Sequence, residues 1–238
     1  MTPQEGAASS RRPAWGWYDV ALLLGAVLPS LLLGAGLMRV LRWLAPGPFS
    51  LAAVSTLTYQ LFVYALLMGA LFLLISGKYG QSFWPALGWK LAFRGAISSV
   101  LTGPVLAVGV SALGVAIHTP EVRDPIREMI TGRMSLAVVI AFGVLVAPFV
   151  EELFFRGFLF PLIARSAGPW GAIVLTAVLF ALPHGAQYEW AWQQLVLIAL
   201  AGVAFGFARY RTGTTTASFL MHASFNATQF LGFLLTRS

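Results

Sequence analysis

The chain has 238 residues, of which 58% are hydrophobic and only 10% are charged, and its formal net charge is +7. This composition excludes an ordinary soluble domain and indicates a polytopic membrane protein. The basic residues stand singly between apolar stretches, so we interpret them as topology signals and contacts with anionic lipid, not as a nucleic-acid surface. The chain contains no cysteine, which excludes disulfides and thiolate metal sites.

Apolar stretches long enough to cross a bilayer follow one another along the chain. A crossing needs about 20 apolar residues, and this rule predicts an all-α, polytopic transmembrane bundle with about seven spans, six to eight being possible. The fourth stretch continues to residue 165, which is too long for one crossing, and we expect Pro148 to kink it. The predicted spans are residues 18–38, 54–76, 95–117, 134–160, 170–184, 192–209 and 214–236.

The chain divides into three parts by charge and by motif content. Residues 1–14 form a polar N-terminal tail, and residues 15–133 contain the first three spans and a charged loop. Residues 134–236 contain the polar motifs that suggest a function. An N-terminus in the cytoplasm gives the cytoplasmic segments only a small excess of Lys and Arg, so the orientation stays open.

Two glutamates and an arginine lie inside a hydrophobic stretch, in the sequence Val-Glu-Glu-Leu-Phe-Phe-Arg over residues 150–156. Ionisable groups are costly at membrane depth, so they indicate function by default. On a helix Glu152 and Arg156 are four residues apart and share a face, whereas Glu151 lies about 100° round the axis. We therefore predict a buried Glu152–Arg156 pair and a separate Glu151 that can act as a general base. The alternative is one structural ion network.

Two later apolar stretches each contain one histidine. His184 follows Pro183, which lacks a backbone donor and predicts a distorted helix at that point. His222 and Asn226 are four residues apart in the last span, so they share a face. Two converging donors suit an oxyanion site. The alternatives are an interfacial anchor for His184 and a helix-to-helix contact for the other two.

Three polar motifs thus occur in order, each on a predicted membrane helix. In this order they resemble the CPBP family of intramembrane proteases, which includes the type II CAAX prenyl endopeptidases and the bacterial Abi proteins. The resemblance covers about residues 134 to 230, and the first 130 residues carry no family signal. The motifs are Glu151-Glu152-x-x-x-Arg156, Phe180-x-x-x-His184 and His222-x-x-x-Asn226.

The resemblance implies an intramembrane endopeptidase that hydrolyses a peptide bond of a membrane-associated or C-terminal substrate segment with glutamate-activated water. Glu151 would activate the water, and His184 would help to hold it. His222 and Asn226 would stabilise the oxyanion. The residues expected to organise the site are Glu152, Arg156 and Phe180.

No cofactor is expected, because the sequence has no His-Glu-x-x-His helix and the resemblance implies a glutamate-based protease without metal. The alternative is a metal-dependent protease of the same kind, with zinc held by Glu151, His184 and His222. The expected partners are a membrane-embedded or membrane-anchored peptide or protein substrate and the lipid bilayer, with no nucleic acid. The family resemblance also leads us to expect a multi-pass protein of the cytoplasmic, or inner, membrane of a prokaryote.

Two other classes of membrane protein remain as alternatives. A transporter also keeps carboxylates and histidines at membrane depth, but it would carry them in matching halves of the chain. Here the apolar stretches with function-like charges all lie in the second half. A non-catalytic immunity protein could keep the fold and lose the chemistry, yet every motif position is filled.

Overall fold

The computed structural model describes residues 13–90, 93–120, 122 and 128–236, and for residues 93 and 94 it describes the backbone alone. The predicted tail, residues 1–14, and the charged loop therefore lie partly outside the described residues. Within the described ranges the chain forms helices and turns and no strand, which confirms the all-α prediction.

The α-helices are α1 Trp17–Gly25, α2 Val27–Leu44, α3 Pro46–Phe49, α4 Ala52–Phe72, α5 Phe83–Ala86, α6 Phe93–Ala116, α7 Arg133–Ala141, α8 Ala147–Glu152, α9 Phe160–Ala181, α10 Trp192–Thr212 and α11 Thr215–Thr236. Segments of π-helix occupy Leu73–Lys78, Phe142–Val146 and Leu153–Leu159, and a 3-10 turn covers Leu182–His184.

Five helical segments among the described residues are long and apolar enough to cross a membrane. Their outer faces present large apolar side chains, such as Val105, which is 72% exposed. A continuous apolar surface of this kind is favourable in contact with lipid and unfavourable in contact with water. The chain is therefore a polytopic integral membrane protein. The five segments are Trp17–Leu44, Ala52–Lys78, Gly95–Ala116, Arg133–His184 and Trp192–Thr212.

The fourth segment, Arg133–His184, folds back on itself at Gly168. This glycine has a φ of 71°, which L side chains rarely adopt, and Pro169 follows it. After the reversal the Phe180 ring lies 5.5 Å from the Phe155 ring, although 25 residues separate them. The two legs correspond to the predicted spans 134–160 and 170–184. Helix α11 is long enough to cross but less apolar, so the count of seven crossings stays a prediction.

The helix around the glutamates departs from α geometry on both sides of them. One π segment, Phe142–Val146, precedes Pro148, and another, Leu153–Leu159, follows Glu152. Proline lacks an amide hydrogen and crowds the preceding turn, and widening that turn to the π form relieves the crowding. The expected distortion at Pro148 is therefore present as the π segment Phe142–Val146 that precedes it. The predicted distortion at Pro183 is present as the 3-10 turn.

The second π segment is held by donors from distant parts of the chain. A π turn disturbs the regular pairing of backbone carbonyls, and buried carbonyls need a partner. Trp15 Nε1 donates to Phe158 O at 3.0 Å, and the two rings stack. Arg209 Nε donates to Arg156 O at 3.2 Å. The backbone that carries Arg156 is therefore fixed from outside its own helix.

One charged side chain of the first half of the chain, that of Asp19, also lies inside the fold. It is buried in α1, and it accepts hydrogen bonds from Lys78 Nζ and Tyr79 OH, each at 2.6 Å, and from Gly16 N at 2.8 Å. These partners satisfy the carboxylate, which would otherwise be costly to bury. Asp19 thus ties the first helix to the end of the second span.

Candidate active site

Glu152 and Arg156 form a buried ion pair inside the bundle. Arg156 Nη1 donates to Glu152 Oε1 at 3.0 Å, and neither side chain is exposed. Arg156 Nη2 donates to Gly202 O at 2.7 Å, which links the pair to α10. The predicted pairing of these two residues is confirmed. Its second link could not be predicted, because Gly202 is 46 residues away in sequence.

Three phenylalanine rings surround the Arg156 guanidinium. Its central carbon lies 4.9 Å from the centre of the Phe180 ring, 5.6 Å from that of Phe205 and 5.9 Å from that of Phe155. Cation–π attraction of this kind is strongest where water is excluded. Phe180 also contacts His184 and His222, with ring centres 5.1 and 5.5 Å apart. Phe180 therefore touches three of the other predicted site residues.

His222 connects the two glutamates. Its Nδ1 lies 3.0 Å from Glu152 Oε1, and its Nε2 lies 3.9 Å from Glu151 Oε2. Because a carboxylate accepts hydrogen bonds, Nδ1 carries a hydrogen and Nε2 is the nitrogen that faces Glu151. The ring stacks on Phe205 with centres 4.4 Å apart, which fixes its orientation. Glu152 therefore orients both Arg156 and His222.

Glu151 faces a cavity instead of the ion pair. Its carboxylate is 19% exposed, whereas Glu152 is fully buried. Tyr64 OH donates to Glu151 Oε1 at 3.4 Å, and Gln60 Nε2 donates to the same hydroxyl at 2.9 Å. The division of the two glutamates agrees with their helical positions. Tyr64 and Gln60 were missed, although two polar side chains four residues apart in an apolar helix were a usable signal.

His184 and Asn226 are each held by a backbone carbonyl. His184 Nδ1 donates to Phe180 O at 2.9 Å, so its Nε2 is the nitrogen left for a ligand. Asn226 Nδ2 donates to Gly143 O at 2.7 Å, in the first π segment. An amide nitrogen has two hydrogens, and this contact uses one of them. Both side chains are therefore fixed in position, and each keeps a polar group that these contacts do not use: Nε2 of His184 and the second amide hydrogen of Asn226.

A cavity of about 1060 Å³ brings most of the predicted site residues together. Helices α4, α6, α10 and α11 contribute to its wall, so the first half of the chain takes part. It extends to His118 after α6 and to Gln187 before α10, which lie at one end of the bundle. Glu152 and Arg156 lie buried behind the wall. The predicted residues on the wall are Glu151, Phe180, His184, His222 and Asn226.

The three candidate zinc ligands, Glu151, His184 and His222, share this cavity without forming a metal site. Among the residues that the structure describes, no three His, Asp or Glu side chains are grouped closely enough to hold a metal ion. The Nδ1 atoms of both histidines are hydrogen-bonded, to Phe180 O and to Glu152, and these contacts leave both Nε2 atoms to face the cavity. Because these side chains are not grouped around one point, we derive no step through a metal. The metal-free site stays a prediction.

Comparison with known proteins identifies the segment that carries the site. Residues 133–228 match the family model of the type II CAAX prenyl endopeptidases, Rce1-like. No curated protein and no solved structure matched the chain. The matched segment runs from the start of α7 into α11 and contains all three motifs. Through this segment, which is about two fifths of the chain, the protein is similar to the Rce1-like type II CAAX prenyl endopeptidases.

Proposed function

We propose that this protein is an intramembrane endopeptidase in which Glu151 activates a water molecule for peptide hydrolysis. The similarity of residues 133–228 to the Rce1-like endopeptidases supports this class of reaction. The observation that carries the proposal is the division of the glutamates: Glu151 faces the cavity near His222, while Glu152 is committed to Arg156. A carboxylate beside a confined space can take a proton from water that lies against a scissile carbonyl.

The proposed reaction begins with a water held between Glu151 and His184. Glu151 takes a proton from this water as its oxygen attacks the carbonyl carbon, and a tetrahedral intermediate forms. The carbon–nitrogen bond then breaks, and Glu151 returns the proton to the leaving amine. The second proton of the water stays on the new carboxyl group and then passes to the amine, so the products are a carboxylate and an ammonium group. This role for His184 is supported by the free Nε2 that its contact with Phe180 O leaves.

The developing oxyanion is proposed to be stabilised by His222 and Asn226. Asn226 has a second amide hydrogen beyond the one given to Gly143 O. His222 donates through Nε2 when both ring nitrogens carry hydrogens. Donors that are fixed in position before the charge develops stabilise such an intermediate strongly.

A purely structural ion network explains less of this arrangement. Such a network accounts for Glu152, Arg156 and the Nδ1 contact of His222. It gives no reason for a second carboxylate that faces a cavity. The proposed function uses both groups of residues: the buried pair orients His222, and the cavity-facing carboxylate carries out the chemistry.

The proposed substrate is a membrane-embedded or membrane-anchored peptide segment, and the family makes a prenylated C-terminal tail the first class to test. A cavity inside a membrane bundle suits an extended segment whose apolar anchor stays in lipid. We also propose that the protein resides in the cytoplasmic membrane of a prokaryote, as the family resemblance suggested.

The test is proteolysis by the purified protein in liposomes. Two quenched fluorescent reporters are used: a farnesylated peptide ending in a CAAX sequence, and an unprenylated transmembrane peptide. We expect the wild type to cleave at least one of them and Glu151→Gln to cleave neither, because an amide cannot take the proton. Glu189→Gln, which changes an exposed loop glutamate, should behave as wild type. Cleavage by Glu151→Gln, or no cleavage by the wild type, would contradict the proposal.

A further inference from the structure

The second membrane-spanning segment places two polar side chains against the proposed base. Gln60 and Tyr64 lie four residues apart on α4, so they share one face of that helix. Both line the cavity that contains Glu151, and both are half-buried. Helix α4 lies outside the matched segment, residues 133–228, so the family motifs do not account for these two residues.

The hydrogen bonds between these residues run in one direction. Gln60 Nε2 donates to Tyr64 OH at 2.9 Å, and the hydroxyl oxygen is the acceptor. The hydroxyl hydrogen is then free to be donated, and Glu151 Oε1 lies 3.4 Å away. A carboxylate only accepts, so the order of donation is Gln60 to Tyr64 to Glu151.

This chain of donors distinguishes the two oxygens of the Glu151 carboxylate. Oε1 is held by Tyr64, while Oε2 points toward His222 Nε2 at 3.9 Å. A free carboxylate on a three-bond stem samples several rotamers, and a proton transfer needs one of them. Fixing one oxygen aims the other into the space beside His222.

We propose that Tyr64, oriented by Gln60, is a positioning residue that holds the Glu151 carboxylate in its reactive orientation. The inference rests on the proposed function, because it assigns Tyr64 a role only if Glu151 is the base. It also gives the first half of the chain a part in the chemistry: α4 supplies the support for a base that lies on α8.

The ring of Tyr64 is held independently of its hydroxyl. It stacks on Phe142, with ring centres 6.0 Å apart and an angle of 19° between the planes. Removal of the hydroxyl alone therefore leaves the packing of α4 against the first π segment in place. Tyr64→Phe is thus a test of the hydrogen bond and not of the fold.

The test compares Tyr64→Phe with Tyr59→Phe in the same liposome assay, with the reporter that the wild type cleaves. Tyr59 is on the same helix, and its hydroxyl donates to Leu31 O on α2, away from the cavity. A hydrogen bond to a charged group corresponds to about tenfold to hundredfold in rate. We expect kcat of Tyr64→Phe to fall by about that factor with KM unchanged, and Tyr59→Phe to match the wild type.

Two further variants separate positioning from general damage. Gln60→Met keeps the shape of the side chain and removes the donor to Tyr64, so kcat should fall in the same direction but less. In the Glu151→Asp background the carboxylate is one methylene shorter and out of reach of the hydroxyl. Adding Tyr64→Phe to that background should cost clearly less than it costs the wild type.

The outcomes distinguish this inference from the proposed function. If Glu151→Gln is inactive but Tyr64→Phe has the kcat and KM of Tyr59→Phe, the positioning role is wrong and the base stands. A change in KM with no change in kcat, or equal costs in the wild-type and Glu151→Asp backgrounds, also overturns the positioning role. If Glu151→Gln retains activity, the proposed function fails and this inference fails with it.

Discussion

At the scale of single residues, the two adjacent glutamates differ in what surrounds them. Glu152 Oε1 is shared by Arg156 and His222 in a fully buried cluster. Glu151 has its partners on the cavity side, Tyr64 and the far nitrogen of His222. The same side chain therefore serves stability at one position and is available for chemistry at the next.

This contrast predicts that stability and activity respond to different substitutions. Arg156→Met should destabilise the fold by about 3–5 kcal/mol, because Glu152 is left buried without its cation. Activity should be lost with it, since Glu152 also orients His222. The measurement is thermal unfolding in detergent beside the liposome assay. Arg165→Met changes an exposed arginine and is the matched control. An unfolding temperature for Arg156→Met equal to that of the control would show that the pair does not stabilise the protein.

At the scale of helices, α9 and α10 approach each other closely through glycines of α10. A Cβ atom at Gly202 would lie 3.1 Å from Ala177 Cα and 3.3 Å from Arg156 Nη2. At Gly206 the nearest atom, Ile173 Cα, would be 3.4 Å away, which is ordinary contact. The close approach at Gly202 is what lets its carbonyl reach the Arg156 guanidinium.

Two matched substitutions on this face should therefore differ. Gly202→Ala should cost about 1–3 kcal/mol from overpacking, and it should also reduce activity because Arg156 is displaced. Gly206→Ala, one turn further along, should be close to neutral in both. Thermal unfolding and reporter cleavage of the two variants check this. Equal losses in the two variants would mean that general crowding, and not the contact with Arg156, decides the outcome.

The sequence predicted local features of the helices well and distant ones poorly. The pairing of Glu152 with Arg156 follows from four-residue spacing alone, and so does the shared face of His222 and Asn226. The link between His222 and Glu152 joins residues 70 apart, which spacing cannot reveal. The π segments were also missed, because an almost uniformly apolar stretch has the same pattern in either helix form.

At the scale of the whole molecule, the cavity extends toward one end of the bundle. Its wall includes Gln187, in the turn before α10. Helix α10 has 21 residues, so its far end is about 31 Å away. That distance is about the thickness of the hydrocarbon core. The cavity therefore extends toward the membrane face at which α10 begins, and Thr212 at the end of α10 lies near the other face.

Because the natural chain has no cysteine, its orientation can be determined with single substitutions. Ala186 and Arg211 are both exposed; Ala186 precedes α10, and Arg211 lies in the last turn at its other end. We expect a membrane-impermeant maleimide to label only one of Ala186→Cys and Arg211→Cys in intact cells. Permeabilised cells should label both, which is the control. The side of the membrane from which the reagent labels Ala186→Cys is the side toward which the cavity extends. Labelling of both variants in intact cells would contradict the membrane crossing by α10.

The contact between Trp15 and Phe158 has a consequence for the biogenesis of the protein. Trp15 precedes the first membrane helix, and the carbonyl that it binds lies 143 residues later. During synthesis the first helix enters the bilayer long before its partner has been made. Until the fourth membrane segment has been inserted, the Trp15 indole is therefore in contact with lipid or with the headgroups and cannot donate to Phe158 O. The final closure of this bundle is a late step in which the beginning of the chain joins the backbone next to the site.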